Sequence, residues 1–327
     1  MIRTYAIERS PLYNLQSKKK LAQLLFLPED YFKIIHNYKY TEFVKKKTNG
    51  KNRVIYNPEE NLKDIQKRIF KLLSRINKPD FVVSGTRGKS YVDNAKIHQN
   101  NENVCTIDIE KFYDSTKEIY VYNFFKYRMK MSIDIATILT KLCTYQGKIP
   151  TGTSVSQLIA FWAYEEIFLS IKAECEKKNI DISLYVDDIT LSSNQIIDKK
   201  LIRKIDELLR QKELQIKREK TKYYSKKRNK SVTGVIINNN GELKVENRKR
   251  KEILDLYKEC QNDLTRTPEK LSRLDGKLND SKQIEPNIYP SISTFIKKYR
   301  IQIQEYNQKK SIEKRFKKKK RRILTKN

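Results

Sequence analysis

Two histidines and four cysteines, scattered singly as Cys105, Cys143, Cys175 and Cys260 with no C-x-x-C pair, leave this chain poorly equipped for a zinc site. The cytosolic compartment inferred below predicts free, buried thiols in place of disulfides. Long apolar runs are missing too. The longest, residues 158–164, is far too short to span a bilayer. Met1-Ile2-Arg3-Thr4-Tyr5 lacks the apolar stretch and small-residue cleavage site of a secretory signal, and the expectation is a cytoplasmic protein. Negative charge is scarce as well: 39 Asp and Glu stand against 70 Lys and Arg, a formal net charge of +31. Self-repulsion on that scale calls for a polyanion. Nucleic acid is the leading partner, and a basic protein lying on a membrane surface is the competing reading. The length of 327 residues allows a full core and two or three subdomains.

Where the few acids sit therefore matters. Residues 183–192, Ser-Leu-Tyr-Val-Asp-Asp-Ile-Thr-Leu-Ser, read as a hairpin with Asp187 and Asp188 at its tip, flanked by Leu184, Val186, Ile189 and Leu191. Acids on a rigid turn suit a divalent metal, since hard cations take oxygen ligands. An ordinary Asp-containing turn explains the same residues. Residues 104–109 form a buried-strand pattern holding Asp108 at its C-terminal end. A carboxylate there is costly unless paired or metal-bound, a solvated strand end being the plainer account. Ser115-Thr116-Lys117-Glu118 reads as a capping box that starts a helix just after this strand. If the two strands are neighbours in one sheet, three carboxylates surround a site for two Mg²⁺ ions, which is polymerase chemistry.

The remaining stretches frame these two. Residues 1–40 suggest short helices, with Leu21, Leu24, Leu25 and Leu27 clustered. A basic hairpin follows, Thr48-Asn49-Gly50-Lys51 turning between Phe43-Val44 and Val54-Ile55-Tyr56; it suits phosphate contact or a solvated surface equally. Leu62, Ile65, Ile69, Leu72 and Ile76 have helical spacing, with Asn61 as N-cap. The glycine-bearing loop 84–90 fails the phosphate-binding-loop spacing because Val83 stands where glycine is required. Helices are expected over 116–129 and 133–144, then a turn at 147–156 leads into one long helix, 155–178. Gly152 in that turn permits close approach of a ligand or strand, or simply starts the helix. Residues 198–214 read as helix, 217–230 as a basic run with Tyr223 and Tyr224 suited to nucleic acid, and 232–237 as a strand turned by Asn239-Asn240-Gly241 into 243–245. Helices near 252–260, 269–274 and 289–306 precede a basic tail, 309–327, read as disordered or marginally helical.

These residues carry a family resemblance. Tyr185-Val186-Asp187-Asp188 resembles the catalytic box of reverse transcriptases, and Asp108 with Tyr113 resembles their first catalytic strand and sugar-sensing gate. Gly152, Ser154 and Ser156 resemble the template and primer grip. Leu214, Ile216, Lys220 and Thr221 resemble the lysine motif that follows. Asn94-Ala95-Lys96-Ile97-His98 is similar to the N-A-x-x-H element, and Val232-Thr233-Gly234 to the V-T-G element, of retron reverse transcriptases. Four positions depart from the pattern: Thr151 replaces the usual Gln, Gln157 a Pro, Val186 an Ala and Lys217 an Asn. They bear on template grip, nucleotide fit and phosphate contact, and spare the metal ligands.

The resemblance implies an α+β right-hand polymerase fold. Fingers with N-terminal helices would occupy 1–100, including the basic hairpin 43–56. The palm, an antiparallel sheet backed by helices, would span 101–240, with fingers helices partly inserted at 116–145. A helical thumb over 241–308 and the basic tail complete it. The implied reaction is RNA-directed DNA synthesis on a cognate structured noncoding RNA, primed from a guanosine 2′-hydroxyl to give branched RNA–DNA (msDNA), within an antiviral system that includes an effector protein. By position, Asp108, Asp187 and Asp188 would bind two Mg²⁺ ions, with the Ile109 carbonyl as an extra ligand. Tyr113 would exclude ribonucleotides, Lys51, Arg53 and Arg87 would hold the dNTP triphosphate beside Gly152, and Lys220 would protonate pyrophosphate. Asn94, His98, Val232, Thr233 and Gly234 would recognise the RNA, although His98 alone reads as a structural histidine. A defence reverse transcriptase making DNA without a template is the enzymatic alternative, and an inert RNA scaffold the non-enzymatic one.

Overall fold

In the computed structural model, which describes residues 4–46, 50, 52–263 and 267–324, contacts divide the chain into two units. One comprises Met1–Ser90 and Asn101–Tyr224, the other Tyr91–Asn100 and Ser225–Asn327. The first unit contains an antiparallel ribbon, β1 (Tyr40–Lys46) with β2 (Asn52–Pro58). It also contains a four-stranded antiparallel sheet built from β3 (Asn103–Asp108), β4 (Asp181–Tyr185), β5 (Asp188–Ser193) and β6 (Lys222–Tyr224) in the order β4-β5-β3-β6. The expected neighbouring of the two acid-bearing strands is therefore present, with β3 between β5 and β6.

Helices cover the sheet because its apolar residues need a dry partner. Ile107, Ile109, Ile189 and Leu191 share one buried core with Leu139, Ile159, Phe168 and Ile205 of the helices Ile133–Cys143, Ser156–Ala163, Glu165–Glu176 and Lys199–Arg210. The helix Glu60–Leu73 buries Leu62, Ile65, Ile69 and Leu72 at the expected spacing, but its N-cap is Glu59 and Asn61 lies inside the first turn. All four cysteines are free and buried.

Two sequence expectations fail here for the same reason: a side chain finds a better partner elsewhere. The single long helix over 155–178 is two helices, broken at Tyr164 with φ −123° and ψ 15°. The Tyr164 ring is buried against Phe112 and Tyr120, and its hydroxyl donates to the Ser115 carbonyl at 3.2 Å. The capping box does not form either. Thr116 Oγ1 donates back to the Phe112 carbonyl at 2.7 Å and Ser115 Oγ to that of Glu110 at 3.3 Å. Both hydroxyls close the single turn Phe112–Ser115, and the next helix, Glu118–Asn123, starts from Lys117 without a side-chain cap.

The second unit holds a three-stranded antiparallel meander, β7 (Lys230–Val232), β8 (Val235–Ile237) and β9 (Leu243–Val245). The expected continuous strand over 232–237 is instead a hairpin. Thr233 (φ 46°) and Gly234 (φ 81°) are both left-handed, the signature of a type I′ turn. Glu285 anchors the meander, its carboxylate accepting the Val245 N–H at 2.5 Å while bridging to Arg250. Helices Asn247–Asn262, Pro268–Lys282, Pro290–Lys297 and Arg300–Leu324 complete the unit. Of the two states read for 309–327, disordered or marginally helical, the described part is helical: through Leu324 it continues one helix, a Gly- and Pro-free run of strong helix formers. Among the described residues no helix is long and apolar enough to cross a membrane.

Candidate functional site

Backbone register, rather than side-chain chemistry, brings the acids together. Asp108 ends β3 directly opposite Asp188, the first residue of β5, and the Ile109 N–H donates to the Asp187 carbonyl at 2.9 Å. The turn differs from the sequence expectation of two acids at the tip. Tyr185 pairs with Asp188, so the two central residues are Val186 and Asp187, and Asp188 already belongs to the strand. Val186 has φ +61°, the first-position sign of a type II′ turn, where glycine is favoured. A β-branched residue held there costs roughly 1–3 kcal/mol and persists only where its surroundings over-determine it.

Mutual repulsion marks the site electrostatically. Burial, then the charges of Asp187 and Asp108, push the Asp188 carboxyl up to about 7, against the pull of Lys220. Burial and Asp108 likewise raise Asp187, opposed by Lys220 and Arg53. Lys220, on the short turn Arg218–Lys220 ahead of β6, places Nζ 2.6 Å from Asp108 Oδ2. Burial alone would lower the Lys220 ammonium, but its bond to Asp108 and the charges of all three carboxylates outweigh this and raise it.

The donors suit a hard divalent cation, being carboxylates whose charges conflict unless something positive separates them. Among the described residues, however, no three His, Cys, Asp or Glu side chains stand in a ready metal cage. The Lys220 ammonium is the cation that Asp108 holds in this arrangement.

The other predicted residues distribute unevenly. Burial, then Asp187, pushes the half-buried Tyr113 phenol up to about 12, tempered by Arg53; both residues thus lie within electrostatic reach of the acids. Arg53 is exposed on β2, and Arg87 is exposed in the loop after Ser84. Lys51 lies outside the described residues. Ile109 is buried and bridges to Ile216, leaving its N–H on Asp187. Gly152 is explained by packing: at φ +107°, a Cβ there would sit 2.5 Å from Ile55 Cγ2, and the neighbouring Thr151 carbonyl accepts the Tyr56 N–H at 2.8 Å. β2 is thereby seated on the 151–152 turn.

The two retron-like elements meet in the second unit. The helix Tyr91–Ile97 presents Asn94, whose Nδ2 donates to Thr233 Oγ1 at 3.4 Å, while that hydroxyl donates to the Tyr91 carbonyl at 3.0 Å. Asn94 and His98 are completely buried, as is Val232. Sequence reasoning missed Ser84, whose hydroxyl accepts the Val186 N–H at 2.8 Å. No local pattern marks such a long-range contact.

Residues 44–237 match the family described as reverse transcriptase (RNA-dependent DNA polymerase). The chain belongs to the reverse transcriptase family. It is 30% identical over 197 residues to the retron Se72 reverse transcriptase of Salmonella heidelberg, strain 579083-10, covering 58% of this chain and 52% of that protein. To the retron Ec86 reverse transcriptase of Escherichia coli it is 25% identical over 204 residues, 61% of this chain and 63% of that one. The retron Ec83 reverse transcriptase, also of Escherichia coli, is 26% identical over 227 residues, with 62% and 70% covered. The matched region thus spans about half the length of the first of these relatives. The resemblance to retron reverse transcriptases read from the motifs agrees with these matches.

The repulsion among these acids has a measurable signature. An Asp ordinarily titrates near 3.8, whereas folding raises Asp188 to about 7. Between those values the folded chain keeps a proton that the unfolded chain has released, so stability falls as pH climbs through the window and stays lowered above it. Asp188→Asn removes that loss. In EDTA at pH 8 the variant is expected to melt higher than the parent, by about 2–4 °C for each kcal/mol relieved, with the gap closing towards pH 4. Equal melting temperatures at pH 8 would contradict the repulsion.

Proposed function

We propose that this chain is an RNA-directed DNA polymerase of the retron type, acting in the cytoplasm on a cognate structured noncoding RNA and extending a guanosine 2′-hydroxyl into a branched RNA–DNA product. The observation that carries this reading is the convergence of Asp108, Asp187 and Asp188 at one strand end, with Lys220 and Tyr113 beside them. A role in antiviral defence, with an effector protein as partner, follows from the retron reading. In this assignment the ribbon β1–β2 and N-terminal helices are fingers, the four-stranded sheet is palm, and the helices after β9 are thumb.

Asp108, Asp187 and Asp188 would hold the Mg²⁺ ions, with the Ile109 carbonyl as a further oxygen; when bound, they supply a lowered pKa for the attacking hydroxyl and neutralise charge on the departing pyrophosphate. Everything else falls to the chain. Lys220, kept protonated by the carboxylates around it, would give up a proton as charge builds on the leaving group. Tyr113 would stack under the sugar of the incoming dNTP and exclude a 2′-hydroxyl, a role supported by its electrostatic reach to Asp187. Lys51, Arg53 and Arg87 would engage the triphosphate as donors to developing negative charge. Gly152 would contribute by letting β2 close on the 151–152 turn. Asn94, His98 and the Val232-Thr233-Gly234 turn would shape the surface that reads the RNA.

The decisive experiment purifies the protein from its native gene neighbourhood and digests the bound nucleic acid separately with RNase and DNase. A short DNA covalently joined to RNA is expected. Incorporation of all four dNTPs with no RNA present would instead favour template-independent synthesis. Asp187→Ala combined with Asp188→Ala should abolish dNTP incorporation while RNA binding persists in filter retention, and full activity in that variant would remove the metal assignment. Tyr113→Ala should admit ribonucleotides, raising their incorporation relative to dNTPs; unchanged sugar discrimination would rule out the gate.

A further inference from the structure

The strained turn between β4 and β5 is not held by the sheet alone. β4 is the edge strand of the order β4-β5-β3-β6, yet its outer side is partnered. Val82 forms a parallel bridge with Leu184; the Leu184 N–H donates to the Phe81 carbonyl at 2.8 Å, and the Val83 N–H to the Leu184 carbonyl at 3.0 Å. Residues 81–83 therefore run as an extra strip along β4 and end where the turn begins. The next residue, Ser84, is 8% exposed, and its hydroxyl accepts the Val186 N–H at 2.8 Å.

We propose that Ser84 is a positioning residue of the active site, its hydroxyl locking Val186 in the left-handed conformation that aims Asp187 and Asp188. This rests on the polymerase reading of those acids. The lock requires a fixed acceptor, and Ser84 is fixed from several sides. Lys78 Nζ donates to its carbonyl at 3.2 Å, Thr86 Oγ1 donates to the Val82 carbonyl at 2.7 Å, and the Thr86 N–H to the Val83 carbonyl at 3.2 Å. A valine at φ +61° gains by returning to negative φ. The bond of its N–H to Ser84 pins the 185–186 peptide plane, and with Tyr185 paired to Asp188 beyond the turn that plane cannot tilt to absorb the change of φ. Release would swing the adjoining Asp187, whose carbonyl meets Ile109 at the end of β3. Water could satisfy the amide but would not hold its direction.

The experiment compares the full-length parent with Ser84→Ala, Ser84→Thr and Ser84→Ala combined with Val186→Gly. Three readouts are taken: hydrogen exchange of the peptide covering 185–188, kcat and KM for dTTP on a poly(rA) template with an oligo(dT) primer, and the half-saturating Mg²⁺ concentration. For Ser84→Ala we expect faster exchange at the turn, a roughly tenfold lower kcat with KM for dTTP little changed, and a higher Mg²⁺ requirement. Ser84→Thr retains the acceptor and should recover kcat. Adding Val186→Gly to Ser84→Ala should recover it too, because glycine adopts positive φ without being held. Parental kcat and exchange in Ser84→Ala would overturn the proposal, as would a loss that neither Ser84→Thr nor Val186→Gly repairs. If the parent itself incorporates no nucleotide, the polymerase reading fails, and the exchange measurement still decides whether Ser84 holds the turn.

Discussion

Three carboxylates forced together at one strand end are the constraint on which the rest of the first unit depends. Asp108 faces Asp188 by register and Asp187 is tied through its carbonyl to Ile109, so their backbones cannot separate without unpairing the sheet. Burial and mutual repulsion lift both Asp187 and Asp188, and the sequence answers with Lys220 and Arg53. In a chain of net charge +31, this places a local demand for cations inside a surface that attracts polyanions.

Backbone strain is the second cost, and its distribution is informative. At Gly152 the chain uses the residue that close approach requires, since any side chain would meet Ile55. At Val186 it does the opposite, putting a β-branched residue where the turn favours glycine. A glycine would reach the same positive φ without strain and without having to be held there. Valine makes the turn stiff once its environment holds it: the β3 pairing on one side and residues 81–84 on the other. Loss of local preference is thus exchanged for definition of the carboxylates' direction.

How much of this could be read from the sequence follows from the range of each interaction. The acid-bearing strands were legible because alternation and charge are local, and helix Glu60–Leu73 because its apolar period is 3.6. The break at Tyr164 was not, since nothing near it differs from a helix; the ring leaves the helical path for Phe112 and Tyr120, far away in sequence. The Ser115 and Thr116 hydroxyls fit a capping box by spacing, yet they close the preceding turn. Thr233 and Gly234 lay in an apolar run that pairs equally well as one strand or two, and only left-handed backbone at both residues distinguishes the hairpin.

That hairpin bears on how the second unit could read RNA. Asn94 and His98 are fully buried, and a buried side chain cannot meet a base edge without first being uncovered. Their contribution to recognition, in the function proposed, has to pass through backbone. Asn94 bonds to Thr233, which bonds to the Tyr91 carbonyl, so the helix start and the turn are fixed by the same hydroxyl. A type I′ turn favours Asn, Asp or Gly at both central residues, so the β-branched Thr233 at φ 46° is held there against local preference, its hydroxyl tied back to the helix start. The pairing of an N-A-x-x-H helix with a V-T-G turn is then a packing requirement first. Its effect on RNA choice would come from the shape of the surface it holds in place, in keeping with recognition of structured RNA by shape as much as by sequence.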